Sequence, residues 1–144
     1  MKKIIFILCV VFTTYSFAET EAESSQGMCK TLEVMAETTQ TLRQRGMKAS
    51  EITDKLLEVS ANFPTVFKKR ADNTTDKIKA EKIIYFGNKY REVLDNYVLI
   101  LVQQAFEVPI QSNQEMKEKV IEEFSNENYL SCLFKISEIN HEEK

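Results

Sequence analysis

The sequence predicts an all-α protein, a bundle of about four to five helices with the first and last helices linked by a disulfide. Three observations predict it. Apolar residues recur at spacings of three and four over much of the 144-residue chain, the period of a buried helix face. Only three Gly and two Pro are present, too few for the turns of a β-sandwich or for a flexible repeat. Two of the three Cys, Cys29 and Cys132, stand near opposite ends of the periodic region.

The chain opens on Met1-Lys2-Lys3, the apolar run from Ile4 to Phe12, and the small-residue pattern Ser16-Phe17-Ala18. That order is the plan of a secretory signal peptide over residues 1–18, with cleavage expected after Ala18. The apolar run is about half the length needed to span a bilayer. Leu8 is bulky where a lipidation signal before Cys9 wants a small residue. Removing Lys2 and Lys3 makes the net charge of −3 more negative by two. No later apolar stretch approaches membrane-spanning length, so no stable membrane insertion is expected after cleavage. An exported chain with one remaining pair of Cys is expected to oxidise it, and Cys29–Cys132 is that pair.

Residues 19–27 are acidic and small and are expected to form a disordered leader. A single helical domain is expected over 28–144. Its first helix carries Cys29, Leu32, Met35, Ala36, Thr39 and Leu42 on one face and ends at Gly46, which suits a left-handed cap. A second helix is expected to begin with Ser50 as N-cap and to bury Ile52, Leu56, Val59 and Phe63, with Pro64 stopping it. A short helix or turn follows to Asn73, and Thr74-Thr75-Asp76 supplies a fresh N-terminus. From about Asp76 to Phe106 the residues Ile83, Phe86, Tyr90, Val93, Tyr97 and Ile100, widened by Leu94, Val98 and Leu101, predict a central helix with neighbours around it. Gly87 inside that stripe predicts a close approach of another helix or a local bend. Val108-Pro109 ends the helix, and Ser112 to Glu115 has capping-box spacing before a last helical stretch carrying Met116, Val120, Phe124, Tyr129, Cys132, Leu133, Ile136 and Ile139, with an interruption expected around Ser125 to Asn128.

Groups equipped for covalent chemistry are scarce. The one imidazole, His141, sits in a terminal His-Glu-Glu-Lys, where a base cannot be held within reach of a proton. Neither G-x-S-x-G nor S-x-x-K occurs. Glu122-Glu123 and Glu142-Glu143 are adjacent and diverge by about 100° on a helix. Glu33 and Glu37 share a face, but as a like-charged pair they read as its wet side. No enzyme activity, metal or other cofactor is therefore expected.

Charge is the most informative polar feature. From Lys68 to Arg91 there are eight bases and three acids; from Glu107 onward there are nine acids and four bases. Pairing between basic and acidic rims of antiparallel helices is the plain reading; the functional one makes Lys68, Lys69, Arg70, Lys77, Lys82 and Lys89 a candidate partner patch, suited to an acidic protein or an anionic envelope polymer rather than to nucleic acid. Tyr90 and Tyr97, two turns apart on one face, read first as residues of the core or its edge with hydroxyls at the rim; the sharper reading makes them candidate walls of an apolar groove between helices.

The signal peptide, a first Cys helix ending in Arg43-Gln44-Arg45-Gly46, the segment Ala105-Phe106-Glu107-Val108-Pro109 and the late Cys132 together resemble a group of small exported helical proteins of Gram-negative bacteria. In that group a first Cys-bearing helix ends in R-Q-x-G, and an aromatic-x-x-Pro precedes a final Cys helix. The resemblance implies export, a helical fold and the disulfide, gives Arg43 and Gln44 a capping or scaffold role, and implies no activity. The architecture is also similar to that of periplasmic immunity proteins that protect bacteria from secreted cell-wall amidases. The expectation is thus a non-enzymatic periplasmic protein-binding module, an immunity or inhibitor protein against an envelope-directed enzyme being one form. The alternative is a carrier or chaperone for an apolar ligand held between helices.

Overall fold

The computed structural model describes residues 21–142, with side chains from 26 to 137. The expected signal peptide and its cleavage point lie outside the described residues, as does the side chain of His141. Five helices follow one another: α1 (Glu21–Gln44), α2 (Ala49–Ala61), α3 (Phe63–Asp72), α4 (Lys77–Glu107) and α5 (Gln114–Glu142). Among the described residues there is no strand.

Local signals set most boundaries. Gly46 has φ of 82° and closes a Schellman turn, in which Gly46 N–H donates to the Arg43 carbonyl at 2.8 Å and Met47 N–H to the Leu42 carbonyl at 3.2 Å. The Asp76 carboxylate accepts from the backbone N–H of Ile78 (2.9 Å) and Lys79 (3.1 Å), satisfying the donors that open α4. Five expectations are corrected. Residues from Glu21 to Gly27, expected in the leader, are helical; Glu21, Ala22 and Glu23 are good helix formers, and acids are favoured near an N-terminus. The second helix starts at Ala49, with Lys48 rather than Ser50 before it, and the Glu51 carboxylate accepts from Lys48 N–H at 3.1 Å. The chain breaks at Asn62, one residue earlier than expected, and Pro64 stands in the first turn of α3, where its missing N–H costs nothing. Asn113, not Ser112, caps α5 by accepting from Met116 N–H at 2.8 Å, and α5 runs unbroken through Ser125 to Asn128.

The helices α1 and α4 form the middle of the bundle, each touching the other and α2. α3 lies along α4, and α5 lies along α1, its one extensive neighbour among the described residues. The core holds Cys29, Leu32, Met35 and Ala36 of α1, Ile52 and Leu56 of α2, Phe63 of α3, Leu94, Val98 and Leu101 of α4, and Phe124 and Cys132 of α5. Cys29 and Cys132 are joined as expected, with Cα atoms 5.5 Å apart across 103 positions of sequence, and both sulfurs lie in this core. Ser60 and Asp95 add a polar tie between α2 and α4 through a hydrogen bond from the Ser60 hydroxyl.

The wide stripe read along α4 is buried on one side only. Tyr90, Leu94, Val98 and Leu101 face inward, while Phe86, Val93 and Ile100 are 36%, 42% and 47% exposed. Three neighbours cover one side of α4; Phe67 of α3 reaches the Phe86 ring at 5.8 Å, and Val93 and Ile100 farther along the same line stay exposed.

Gly87 marks the close approach that its place in the stripe predicts. A Cβ added there would meet Phe67 Cβ at 2.6 Å and Cγ at 2.8 Å, so α3 sits against bare backbone. Gly27, in contrast, has nothing within 4 Å of the same position. Alanine gains about 1 kcal/mol of helix propensity at either site, but at Gly87 overpacking costs roughly 1–3 kcal/mol because Phe67 Cβ cannot swing aside. Urea denaturation should therefore show Gly27→Ala raising stability and Gly87→Ala lowering it; a stabilised Gly87→Ala would contradict the α3–α4 contact.

Candidate binding surfaces

Three surfaces remain once the core is assigned. The first is basic and lies where α3 ends and α4 begins. Lys68 and Lys69 of α3 and Lys77, Lys82 and Lys89 of α4 are exposed, whereas Arg70 is half-buried beside the buried Ala71. Phe63, Phe67 and Ala71 point into the α3–α4 contact, and the helical period carries Lys68 and Lys69 away from it. Ile78 and Tyr85 stand among the α4 lysines at 68% and 66% exposed, so this end offers apolar as well as positive groups.

Three ion pairs join neighbours on the same helix. Lys89 Nζ lies 2.9 Å from Glu92 Oε2, and Arg91 Nε lies 3.4 Å from Asp95 Oδ2, both within α4. Lys119 and Glu123 pair at 3.7 Å within α5. The hydrogen bond and charge of Glu92 push the Lys89 ammonium above its ordinary value of 10.5, so Lys89 is a cation at any physiological pH.

The second surface concerns the tyrosines: Tyr90 takes the core position read for it, and the groove reading is corrected. Tyr90 is only 7% exposed, and its ring lies 5.4 Å from Phe63, 6.0 Å from Phe67 and 5.8 Å from Phe86. It is a core residue of the α3–α4 contact, because aromatic residues at 63, 67 and 86 converge on its ring. Tyr97 takes a separate position: its hydroxyl is 3.3 Å from Asn128 Oδ1, bridging α4 to α5. Two turns of helix separate the tyrosines, and α3 ends the first one's access to solvent.

Beyond Tyr97 the two helices diverge around an open cleft of about 300 Å³ lined by Gln104, Glu107, Val108, Phe124, Glu127 and Asn128. Its lining is largely polar, and its two acids are exposed. The cleft provides neither the enclosure nor the apolar walls that a carrier of an apolar ligand needs. Among the described residues no cluster of His, Cys, Asp or Glu could hold a metal ion, and no helix is long and apolar enough to cross a membrane. Glu33 and Glu37 do not act as a pair, since Glu33 is held by Lys30 one turn before it and Glu37 is exposed.

The third feature is a clamp that sequence reasoning only half identified. Gln44, 2% exposed at the end of α1, reaches the loop between α4 and α5: its Nε2 donates to the Pro109 carbonyl (3.2 Å), and its Oε1 accepts from Gln111 N–H (2.8 Å). The Arg43 guanidinium stacks 4.2 Å from the Phe106 ring centre. The R-Q-x-G and aromatic-x-x-Pro segments, far apart in sequence, are thus one contact. The resemblance implies a cap or scaffold role for Gln44; its long-range partners are invisible without the fold. No protein-family model matches the chain, and no curated protein or solved structure matches it either.

Burial pushes the Tyr97 phenol above its ordinary value of 10.0. A raised pKa in the folded state means that the neutral phenol favours folding. The contribution is fully present below about pH 10, the unfolded value, and is lost as pH rises through the folded one. Tyr97→Phe should therefore lose less stability than the parent chain between neutral pH and about pH 11, measured by denaturant midpoints, since the parent alone must ionise a buried phenol on Tyr97. Equal slopes for both chains would contradict this placement.

Proposed function

We propose that the chain is a non-enzymatic, periplasmic protein-binding module whose contact surface is the basic end of the α3–α4 pair. The observation that carries this reading is the exposure of Lys68, Lys69, Lys77 and Lys82 around the uncovered Ile78 and Tyr85. An apolar centre with a positive rim fits the surface of an acidic protein: the apolar groups supply the buried contact, and the charges speed and orient encounter. The rest of the chain is net acidic, which confines attraction for such a partner to this end.

Immunity or inhibition toward an envelope-directed enzyme is the concrete form of this reading. An inhibitor needs a rigid, pre-organised surface more than it needs reactive groups, and a cross-linked bundle provides one. The basic end is built on two helices locked together at Gly87 and Phe67, so its lysines share a fixed frame.

The test is affinity capture from a periplasmic extract, with the oxidised parent chain and Lys77→Glu/Lys82→Glu side by side. A protein held by the parent and lost by the variant, with binding that weakens as salt rises, supports the reading. Capture of no protein by the parent, or equal capture by both chains, contradicts it.

A further inference from the structure

The outward line of α4 has a feature separate from the basic end. Lys89 and Glu107 are eighteen residues apart, which is five full helical turns, so they lie on one line along the surface about 27 Å from each other. Both are exposed. Glu92, Val93, Asn96, Ile100 and Gln103 occupy the stretch between them on the same face, with Leu99 at its edge; Val93 is 42%, Leu99 58% and Ile100 47% exposed. The face therefore carries uncovered apolar groups at Val93, Leu99 and Ile100 among polar ones, with a cation at one end and an anion at the other.

Such a face is complementary to itself. When two copies lie antiparallel about a two-fold axis level with Val98, Lys89 of each falls opposite Glu107 of the other, and the two apolar segments meet between these pairs. A parallel arrangement sets Lys89 against Lys89 and Glu107 against Glu107, which repels at both ends. A two-fold interface requires self-complementarity of this kind. The existing Lys89–Glu92 contact is an exposed i, i+3 pair, a weak competitor for a lysine on a flexible stem.

We infer that a second copy of this chain occupies the outward face of α4, forming an antiparallel homodimer through Val93, Leu99 and Ile100 closed by Lys89–Glu107 pairs. Lys68, Lys69, Lys77 and Lys82 lie outside this segment. The dimer thus presents two basic ends pointing in opposite directions and binds bivalently. The inference is independent of what those ends bind.

Sedimentation velocity over a wide concentration range, on the chain with its disulfide intact, tests it. The parent should pass from monomer to dimer with concentration. Lys89→Glu or Glu107→Lys alone should each weaken association about tenfold, because symmetry breaks two pairs at once. Lys89→Glu/Glu107→Lys together should restore the parent dimer constant within about threefold, since the exchanged charges again face each other. Ile100→Asp should abolish the dimer while circular dichroism shows unchanged helix. A chain that stays monomeric throughout, or a dimer that the double exchange does not restore, overturns the proposal. A monomer that still loses its acidic partner through Lys77→Glu/Lys82→Glu would overturn the dimer and leave the binding reading standing.

Discussion

The covalent tie between Cys29 and Cys132 is the constraint on which the rest of the structure depends. Among the described residues α5 rests on α1 and has no other extensive neighbour, so its side chains bury against essentially one helix. A pair of helices packed in that way gains less per residue than a helix seated in a groove between two others. The disulfide removes the alternative in which α5 drifts away. In the chain-entropy model, closing a loop across 103 positions is worth about 4–5 kcal/mol. Two smaller contacts fix α5 at its other points: Tyr97 reaches Asn128 from α4, and Gln44 holds the loop that leads into α5. Placement of α5 in turn defines the polar cleft beside it and leaves the outward face of α4 open.

One-sided burial of α4 is the second consequence of this arrangement. A bundle in which α5 packed against α4 would cover the line of Phe86, Val93 and Ile100. Because the disulfide assigns α5 to α1, that line stays partly in water, and α4 is long enough to carry two different surfaces. Its first turns, with α3, make the positive end; its later turns make an apolar segment bounded by Lys89 and Glu107. A helix with so many uncovered large apolar side chains is unusual on a chain that must not aggregate, and the proposed contact at the basic end and the proposed homodimer are the two readings offered for it.

Much of the fold was legible from local chemistry. Gly46 needed a left-handed turn and has one; Asp76 opened a helix; Gly87 in a packed stripe meant bare backbone against a neighbour. These are signals a residue carries within its own few neighbours. The disulfide was legible because the expected export, with Cys9 removed in the expected signal peptide, left one pairing. What failed was anything decided by where a distant helix lies. Periodicity marks Phe86, Tyr90 and Val93 as one stripe, and only packing separates the buried Tyr90 from the exposed other two. Tyr90 and Tyr97 share a helix face, yet α3 covers one while Asn128 holds the other. The basic patch was readable as charge, and its apolar centre at Ile78 and Tyr85 was not, since exposure is a property of the assembled bundle. The role of Gln44 was half readable: the resemblance implied a scaffold, and its partners at Pro109 and Gln111 required the fold.

The most direct measurement of this account is amide hydrogen exchange on the oxidised and the reduced chain, resolved by helix. With α5 held to α1 by Cys29–Cys132 as well as by side-chain packing, reduction should speed exchange across α5 by up to about a thousandfold, more than in α2, α3 and the buried half of α4. Undiminished protection of α5 after reduction would contradict the claim that this bond governs the architecture.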